Sequence, residues 1–286
     1  MNISSGTQKG AGNFPMTQKD FETIASILYK ASGIRLTEKK AQLVHSRLSK
    51  RLRARGLSQF HDYCLLLQKD QEKDELGLAV QALTTNVTRF FREPHHFETL
   101  RSQVLPSLTQ KARRGDPIRF WSAGCSAGQE PYSLAIEILE WMPDADQLDI
   151  KILATDIDKT MIDTGRRGRY SASEVENIAD ARRAKHLARL PQKDEWKVSD
   201  PLRKLVSFNT LNLFGAWPMQ RPFDVVFCRN VVIYFDAADQ IILWDKFASH
   251  MSPGSWLMIG HSERVTGKAV NQFEANGVTT YRLKQR

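Results

Sequence analysis

The stretch Ala123-Gly124-Cys125-Ser126-Ala127-Gly128-Gln129-Glu130-Pro131 decides the fold class of this chain. It follows a β-rich run at Ile118–Ala123 and precedes a helical pattern at Tyr132–Trp141, which is where a nucleotide-binding loop lies in a doubly wound α/β fold. Gly124 and Gly128 permit a tight turn and close approach of the backbone to a ligand. A purely structural turn would use the same residues, so the loop alone does not establish a ligand.

Short β-rich runs alternate with helical segments around this loop. The predicted strands are Ile118–Ala123, Ile150–Thr155, Leu205–Phe208, Phe223–Cys228 and Trp256–Gly260, and the predicted helices are Tyr132–Trp141, Lys159–Arg166 and Ala238–His250. Such alternation indicates βαβ units and a parallel, doubly wound sheet. The closing segment Gly277–Leu283 alternates in hydrophobicity and is predicted to be an antiparallel edge strand.

The remaining segments define the domain organisation. Residues 165–204 are too long for an ordinary crossover between two strands. We predict an inserted subdomain there, with Trp196–Val198 pairing with Leu202–Phe208 as a small antiparallel element. The predicted divisions are a disordered tail over 1–19, a basic helical domain over 20–90, a linker or interdomain helix over 91–117, the sheet domain over 118–286 and the β-subdomain insert over 165–204.

Composition limits the class of protein. The 286-residue chain is 41% hydrophobic and 26% charged, as is typical of a globular protein. Its three cysteines are far apart and never in CxxC spacing, which argues against a disulfide scaffold and a thiolate zinc site. With no apolar stretch long enough to span a bilayer and no signal-peptide core, we predict a cytoplasmic protein without membrane insertion.

The positive charge is concentrated in the first part of the chain. Residues 1–115 hold 19 Lys/Arg and 10 Asp/Glu, whereas residues 116–286 hold 22 of each. The helix predicted over Thr37–Gly56 carries much of this charge, in Arg47, Lys50, Arg51 and Arg53. A basic module of this kind fits an acidic partner, which could be nucleic acid, an anionic membrane or an acidic protein surface.

Polar residues follow four of the predicted strands at the edge where such folds bind ligands. Glu130 lies at a helix N-terminus and would repel a phosphate there, so NAD and ATP are poor candidates. S-adenosylmethionine has adenosine, no phosphate and a positive centre, and it fits better. Asp156 can accept hydrogen bonds from ribose hydroxyls. Asn212 can bond the adenine edge beside Leu213 or be an ordinary turn residue, and Arg229-Asn230 ends the fourth strand.

Taken together, these motifs resemble the CheR family of chemotaxis receptor methyltransferases. The resemblance rests on Thr84–Glu93, Trp121–Leu134, Ala154–Asp158, Phe223–Phe235 and Gly260–Glu263, in the expected order across residues 20–283. It implies an α/β methyltransferase sheet with an N-terminal all-helical domain and a small antiparallel insert. It also implies methyl transfer from S-adenosylmethionine to glutamate side chains, with S-adenosylhomocysteine as the product.

The resemblance assigns site residues as well. Arg92 and Tyr234 would lie nearest the transferred methyl group. The implied cofactor pocket comprises Asn86, Thr88, Arg92, Glu130, Asp156, Asn212, Leu213, Arg229 and Asn230. The implied partners are the cytoplasmic helices of chemoreceptors, whose glutamates Arg47, Lys50, Arg51 and Arg53 could contact. We expect a monomer with no metal.

The sequence departs from the family pattern at two places, and two alternative functions remain. Gln129 stands where many members have a second acidic residue. The insert segment Leu190–Trp196 lacks the glycine found in members that bind a receptor C-terminal pentapeptide, so we expect no such tethering. A basic module beside a cofactor pocket would also suit a nucleic-acid methyltransferase, although few stacking aromatics are present. A non-catalytic module that senses S-adenosylmethionine is the remaining alternative.

Overall fold

The computed structural model describes residues 14–285, which form two compact units divided between Thr84 and Thr85. Most of the predicted N-terminal tail, residues 1–13, lies outside the described residues. The first unit contains α1 (Gln18–Ser32), α2 (Ala41–Ala54), α3 (Phe60–Leu67) and α4 (Lys73–Leu83), with short 3₁₀ turns at Glu38–Lys40 and Asp70–Glu72. The predicted end of the helical domain at residue 90 lies beyond this division.

The helices of the first unit begin and pack as their sequences predict. At the start of α1, the Thr17 side chain accepts a bond from the Asp20 N–H, and the Asp20 carboxylate accepts one from the Thr17 N–H at 2.9 Å. On α2, Val44, Leu48 and Leu52 recur every four residues and are fully buried. The helix predicted from Thr37 differs in one respect, because it opens as a 3₁₀ turn and becomes α-helical only at Ala41.

The second unit contains the remaining elements. Its helices are α5 (Pro94–Thr99), α6 (Leu105–Arg113), α7 (Gln129–Trp141), α8 (Lys159–Arg167), α9 (Asp180–His186), α10 (Asp200–Leu205) and α11 (Ala237–Ser249). Its strands are β1 (Ile118–Ala123), β2 (Ile150–Asp156), β3 (Arg169–Ser171), β4 (Leu187–Leu190), β5 (Glu195–Val198), β6 (Val206–Thr210), β7 (Phe223–Cys228), β8 (Met251–Ile259), β9 (Phe273–Ala275) and β10 (Thr280–Leu283). A π-helical turn at Leu100–Val104 joins α5 to α6.

Seven strands form the main sheet in the order β6-β2-β1-β7-β8-β10-β9. The five strands from β6 to β8 are parallel, with Ile118 opposite Ile150 and Phe120 opposite Val225. The chain starts in the middle of the sheet and extends to either side, which confirms the predicted doubly wound fold. The carboxyl ends of β1, β2 and β7 therefore lie side by side.

Alternate residues of the central strands supply two hydrophobic cores, one on each face of the sheet. Phe120 on β1 belongs to the core that α6 and α7 cover, where Leu105 and Ile136 are fully buried. Its neighbour Trp121 points to the opposite core, which Trp244 of α11 completes. This period-two alternation buries both faces, as a parallel sheet requires.

The insert is a separate three-stranded antiparallel sheet in the order β3-β5-β4. It confirms the predicted small β-subdomain, but the predicted pairing inside it is wrong. Trp196 pairs with Tyr170 and Arg189 rather than with the segment after Pro201. Pro201 falls in the first turn of α10, and that helix separates β5 from β6. Consequently β6 joins the main sheet beside β2.

The C-terminal strand also differs from the expectation. Thr280–Leu283 is an antiparallel strand, as predicted, and it pairs with β8. On its outer side it pairs with β9, so β10 is not an edge strand. Phe273 of β9 is buried, which explains why this short strand remains attached. Within residues 14–285, no helix combines the length and the hydrophobicity needed to cross a bilayer.

Candidate active site

The glycine loop, residues 124–128, leaves β1 with a left-handed backbone at Gly124, Ser126 and Gly128. Gly124 has φ +77°, and a Cβ there would lie 2.3 Å from Val231 Cγ2. Gly128 has φ +96°, and a Cβ there would lie 2.9 Å from the Tyr170 hydroxyl. Both positions therefore need glycine, for backbone conformation and for space. The loop leads into α7, whose first-turn N–H groups point to the carboxyl edge of the sheet.

Asp156 ends β2 beside this loop and is largely buried. Its Oδ2 accepts a hydrogen bond from the Ser126 N–H at 2.8 Å, and its Oδ1 accepts one from the Asp158 N–H at 2.9 Å. Burial raises the pKa of Asp156, and these two backbone donors oppose the rise. The carboxylate thus has a fixed orientation at the position where sequence analysis expected a ribose ligand.

The segment 86–92 lies against the glycine loop. Asn86 Nδ2 donates to Asp158 Oδ2 at 2.9 Å, and the Asn86 carbonyl accepts a bond from the Ser126 hydroxyl at 3.1 Å. Asp158 also caps the N-terminus of α8, because its side chain accepts bonds from the N–H groups of Thr160 and Met161. Thr88 and Arg92 are both partly exposed, and Arg92 Nη1 donates to the Val87 carbonyl at 3.0 Å. Three of the predicted site residues therefore share one short segment beside the loop.

Glu130 and Arg229 form a buried ion pair at the centre of the site. Arg229 Nε lies 2.7 Å from Glu130 Oε2, and the Ser122 hydroxyl donates to Glu130 Oε1 at 2.6 Å. Arg229 Nη1 also donates to the Arg92 carbonyl. The Arg229 side chain is only 2% exposed, so a single guanidinium connects the start of α7 to the segment 86–92. Glu130 is thus paired with a cation that the sequence did not reveal.

Asn212 and Leu213 follow β6 at the same edge of the sheet. Asn212 Oδ1 accepts a bond from the Phe214 N–H at 2.9 Å, which is the turn role that sequence analysis left open. Leu213 is buried, and its carbonyl accepts bonds from Lys246 Nζ at 3.1 Å and Trp217 Nε1 at 3.2 Å. The turn role of Asn212 thus uses its side-chain oxygen.

The loop after β7 carries Asn230 and Tyr234. Asn230 has φ +58°, a left-handed conformation that asparagine tolerates better than most residues. Glu263 faces this loop and accepts backbone N–H bonds from residues 230 to 233 and from Gly260. Burial raises the pKa of Glu263, and these backbone donors oppose the rise. Tyr234 lies in the 3₁₀ turn Val232–Tyr234.

A cluster of Glu93, His95 and His96 lies next to Arg229. Possible metal-binding atoms of these three side chains lie within 4.8 Å of one another. Arg229 Nη1, however, lies 3.9 Å from Glu93 Oε2 and donates to His96 Nδ1 at 3.3 Å. A cationic group therefore already lies beside the cluster. Burial acts to raise the pKa of Glu93, but the charge of Arg229 and the hydrogen bonds from His261 outweigh it and lower the pKa. We interpret the cluster as a hydrogen-bond network around Arg229.

His96 makes the stability of the second unit depend on pH. Burial, with Arg229 and His95 nearby, lowers its pKa from 6.5 to about 3. The unfolded chain then binds a proton that the folded chain does not, so stability is lost as pH falls below about 6.5. Between pH 7 and pH 5 we expect the unchanged chain to lose roughly 2 kcal/mol more unfolding free energy than His96→Gln.

Urea unfolding followed by tryptophan fluorescence checks this expectation, because all six tryptophans lie between residues 121 and 256. Both chains are measured at both pH values, so that the variant's own change in stability cancels. Equal losses in the two chains would contradict a neutral, buried His96.

The predicted receptor-contacting residues lie on α2 of the first unit, in two different environments. Arg51 forms a two-bond ion pair with the buried Glu75, at 3.0 and 2.7 Å, and Arg47 Nη1 donates to the carbonyls of residues 82 and 84. Burial acts to raise the pKa of Glu75, but hydrogen bonds from Arg51 and Tyr63 outweigh it and lower the pKa. Lys50 and Arg53 are exposed, and the Arg53 guanidinium lies 5.2 Å from the Phe14 ring centroid.

Sequence reasoning gave no role to several residues that the structure brings into the site. They are Glu93, Ser122, Ser126 and Glu263. The two acids carried usable signals, because Glu93 directly follows Arg92 and Glu263 ends the quoted motif Gly260–Glu263. Their function depends on partners far along the chain, and spacing in one sequence does not reveal such partners.

The residues of the second unit fit S-adenosylmethionine by charge. Five carboxylates and two guanidinium groups lie at this end of the sheet, namely Glu93, Glu130, Asp156, Asp158, Glu263, Arg92 and Arg229. An excess of negative charge favours a cationic ligand and disfavours a pyrophosphate. The two glycines that tolerate no Cβ let the loop pack closely against Val231 and Tyr170.

Two family models match the chain over nearly its whole described length. The description "CheR methyltransferase, all-alpha domain" matches residues 19–84, and "CheR methyltransferase, SAM binding domain" matches residues 86–282. The boundary between the two models coincides with the division between the two compact units. The sheet unit is thus an S-adenosylmethionine-binding methyltransferase domain.

Similar proteins carry related names. A probable chemotaxis protein methyltransferase of Rhizobium etli is 46% identical over 90% of this chain and 96% of its own length. Chemotaxis protein methyltransferase 2 of Pseudomonas aeruginosa is 40% identical over 95% of each chain. The chemotaxis protein methyltransferase of Borreliella burgdorferi is 39% identical over 89% of this chain and 91% of its own. This chain belongs to the CheR methyltransferase family.

Proposed function

We propose that the protein transfers a methyl group from S-adenosylmethionine to glutamate side chains on the cytoplasmic helices of chemoreceptors, forming methyl esters. The family supports the cofactor and the reaction class, and relatives named chemotaxis protein methyltransferases support the acceptor. The observation that carries the proposal is the position of Arg229. It bonds both the Glu130 carboxylate and the Arg92 carbonyl, so it holds the start of α7 against the segment 86–92.

The chemistry needs no general base. A glutamate side chain has an ordinary pKa of about 4.3, so it reaches the enzyme as a carboxylate nucleophile near pH 7. When bound, S-adenosylmethionine supplies an electrophilic methyl group on a sulfonium, which makes a neutral sulfide the leaving group. The protein's own task is to align donor and acceptor at contact distance. His96, neutral and buried in the Arg229 network, is not needed as a base.

We assign the alignment of the acceptor to Arg92 and Tyr234. The Arg92 side chain is partly exposed beside the glycine loop, so it can give a charge-assisted hydrogen bond to an incoming carboxylate. Tight pairing would stabilise the ground state as well, so positioning is the more productive role. The proposed cofactor-binding residues are Asn86, Thr88, Arg92, Glu130, Asp156, Asn212, Leu213, Arg229 and Asn230.

The exposed part of the α2 basic face is the proposed receptor contact. Lys50 and Arg53 are exposed there, whereas Arg47 and Arg51 already bond groups of their own unit. Rows of glutamates on a receptor helix would complement the two exposed cations. Attraction of this kind between exposed charges weakens with salt, because screening acts over about 8 Å at physiological ionic strength.

Reversing these two charges should weaken receptor binding. We expect Lys50→Glu/Arg53→Glu to raise the KM for receptor about tenfold at low salt and much less at high salt. Calorimetry should show an unchanged affinity for S-adenosylhomocysteine. The matched control is Lys19→Glu/Lys30→Glu, which reverses two exposed charges on α1. Equal effects of both pairs, or effects that do not depend on salt, would contradict a specific contact through α2.

A methyl-transfer assay tests the proposed function. The protein is incubated with methyl-labelled cofactor and receptor-containing membranes, and the product is treated with alkali, which releases methanol from esters but not from methylated nitrogen. Labelled, alkali-released methanol is the expected result. Alkali-stable label that nuclease removes would indicate a nucleic-acid methyltransferase instead. Binding of the cofactor without transfer to any receptor would indicate a non-catalytic sensor.

The insert is not proposed to bind a receptor tail. Its strands β4 and β5 are joined by a short turn in which Asp194, not glycine, has a positive φ of +47°. The relatives that bind a C-terminal pentapeptide are expected to have a glycine-bearing loop at this position. Receptor recognition is therefore assigned to the basic face of α2.

A further inference from the structure

Glu263 has an unusual set of partners for a buried carboxylate. Its Oε1 accepts hydrogen bonds from the N–H groups of Val231, Val232 and Ile233, at 2.9, 2.8 and 3.3 Å. Its Oε2 accepts bonds from the N–H groups of Asn230 at 3.1 Å and Gly260 at 2.5 Å. The residue is only 4% exposed. Four consecutive backbone donors of the loop after β7 therefore depend on one side chain.

The residues around Glu263 leave room for its carboxylate to lie close to the backbone of residues 230–233. A Cβ on Gly260 would lie 2.6 Å from the Asn230 nitrogen and 2.9 Å from Glu263 Oε2, so only glycine leaves room for the carboxylate. On the other side of the loop, Val231 fills the space above Gly124 of the glycine loop. The Glu263 carboxylate thus determines the shape of a loop that contacts the glycine loop and carries Asn230 and Tyr234.

We propose that Glu263 is a positioning residue for cofactor binding and methyl transfer, acting through the loop 230–234. The part that concerns methyl transfer rests on the proposed function, whereas the part that concerns the loop does not. The role requires a group that only accepts hydrogen bonds. Each carboxylate oxygen of Glu263 accepts bonds from at least two N–H groups. In Glu263→Gln, the side-chain N–H₂ group would therefore face backbone N–H donors in either orientation of the amide.

Hydrogen exchange of the cofactor-free protein tests the loop directly. In Glu263→Gln we expect the amides of residues 230–233 to exchange at least about tenfold faster, with the amides of β1 unchanged. The affinity for S-adenosylhomocysteine, measured by calorimetry, should fall about tenfold. Glu263→Asp keeps an acceptor-only group one methylene shorter and should recover part of both losses.

The control is Glu137→Gln, which alters a buried carboxylate on α7 that pairs with Arg101 and Arg182. Faster exchange confined to the loop in Glu263→Gln, and absent from Glu137→Gln, supports the proposal. Unchanged loop amides, or the same general acceleration in both variants, would overturn it. If Glu263→Gln does not fold, the same exchange measurement is made on Glu263→Asp. Faster amide exchange over the whole sheet, rather than in the loop, would then count against the proposal.

These outcomes are separate from those of the methylation assay. If the unchanged protein methylates no receptor, the proposed function fails, while the exchange pattern and the calorimetry still report on the loop. If receptor methylation is normal but the loop amides of Glu263→Gln exchange as in the unchanged chain, the positioning role fails and the proposed function remains.

Discussion

Replacing Arg92 with alanine is expected to lower kcat for receptor methylation by about a hundredfold or more. The physical reason is alignment, since the guanidinium would hold the acceptor carboxylate in line with the methyl group by a charge-assisted hydrogen bond. Stability should change little, because the side chain is partly exposed and bonds the Val87 carbonyl. Initial rates at saturating receptor and cofactor give kcat, and tryptophan fluorescence during urea unfolding gives the stability.

Two further variants make this expectation sharper. Arg89→Ala removes an exposed arginine from the same segment and should keep nearly full activity. Arg92→Lys keeps the charge but not the planar two-bond geometry, and should lie between the alanine variant and the unchanged enzyme. Normal turnover of Arg92→Ala would remove Arg92 from the mechanism. A loss of turnover that only parallels a loss of folded protein would assign it a structural role.

Replacing Arg229 with methionine is expected to destabilise the second unit by about 3–5 kcal/mol. The change leaves Glu130, which is largely buried, without its ion-pair partner, and it removes the positive charge beside Glu93. It also removes the bond to the Arg92 carbonyl, so the affinity for S-adenosylhomocysteine should fall as well. Urea unfolding, again followed by tryptophan fluorescence, measures the stability, and calorimetry measures the affinity.

A second substitution distinguishes two causes of the lost stability, the unpaired buried charge of Glu130 and the lost contacts of Arg229. Arg229→Met/Glu130→Gln removes the unpaired carboxylate and should recover part of the lost stability, although the contact to Arg92 stays broken. The control Arg113→Met breaks an exposed ion pair with Asp144 and should leave the unfolding free energy nearly unchanged. No recovery in the double variant would show that the Glu130 charge is not the main source of the loss.

Local patterns predicted most of the secondary structure because helix caps and strand alternation depend on near neighbours. The bounds of β1 and β7 agree with prediction to the residue, and α8 begins at Lys159 as expected. The errors lie in the insert and at the C-terminal edge of the sheet. The runs that form β5 and β10 were recognised, but their partners β3, β4 and β9 were not predicted as strands. Strand pairing is set by non-local packing, which hydrophobic alternation does not specify.

The same limit applies to the basic face of α2. Its charge was evident in the sequence, and so was the four-residue spacing of the buried residues Val44, Leu48 and Leu52. The sequence did not show which of its cations form ion pairs within the protein, because Glu75, the partner of Arg51, lies on another helix. Only the packing of the helices shows that Arg47 and Arg51 bond groups of their own unit, whereas Lys50 and Arg53 are exposed.

By itself, the sequence determined the doubly wound fold, the basic helical domain, the residues at the strand ends and the resemblance to a methyltransferase family. Each of these depends on periodicity, composition or motif order, which are properties of short stretches. The tertiary structure alone decided the partners of the buried charges. Glu130 and Arg229 are 99 positions apart in the chain, and Glu263 bonds a loop about thirty residues before it. Burial makes such pairings necessary, because an unpaired charge in the interior is costly, but only the folded chain shows which groups meet.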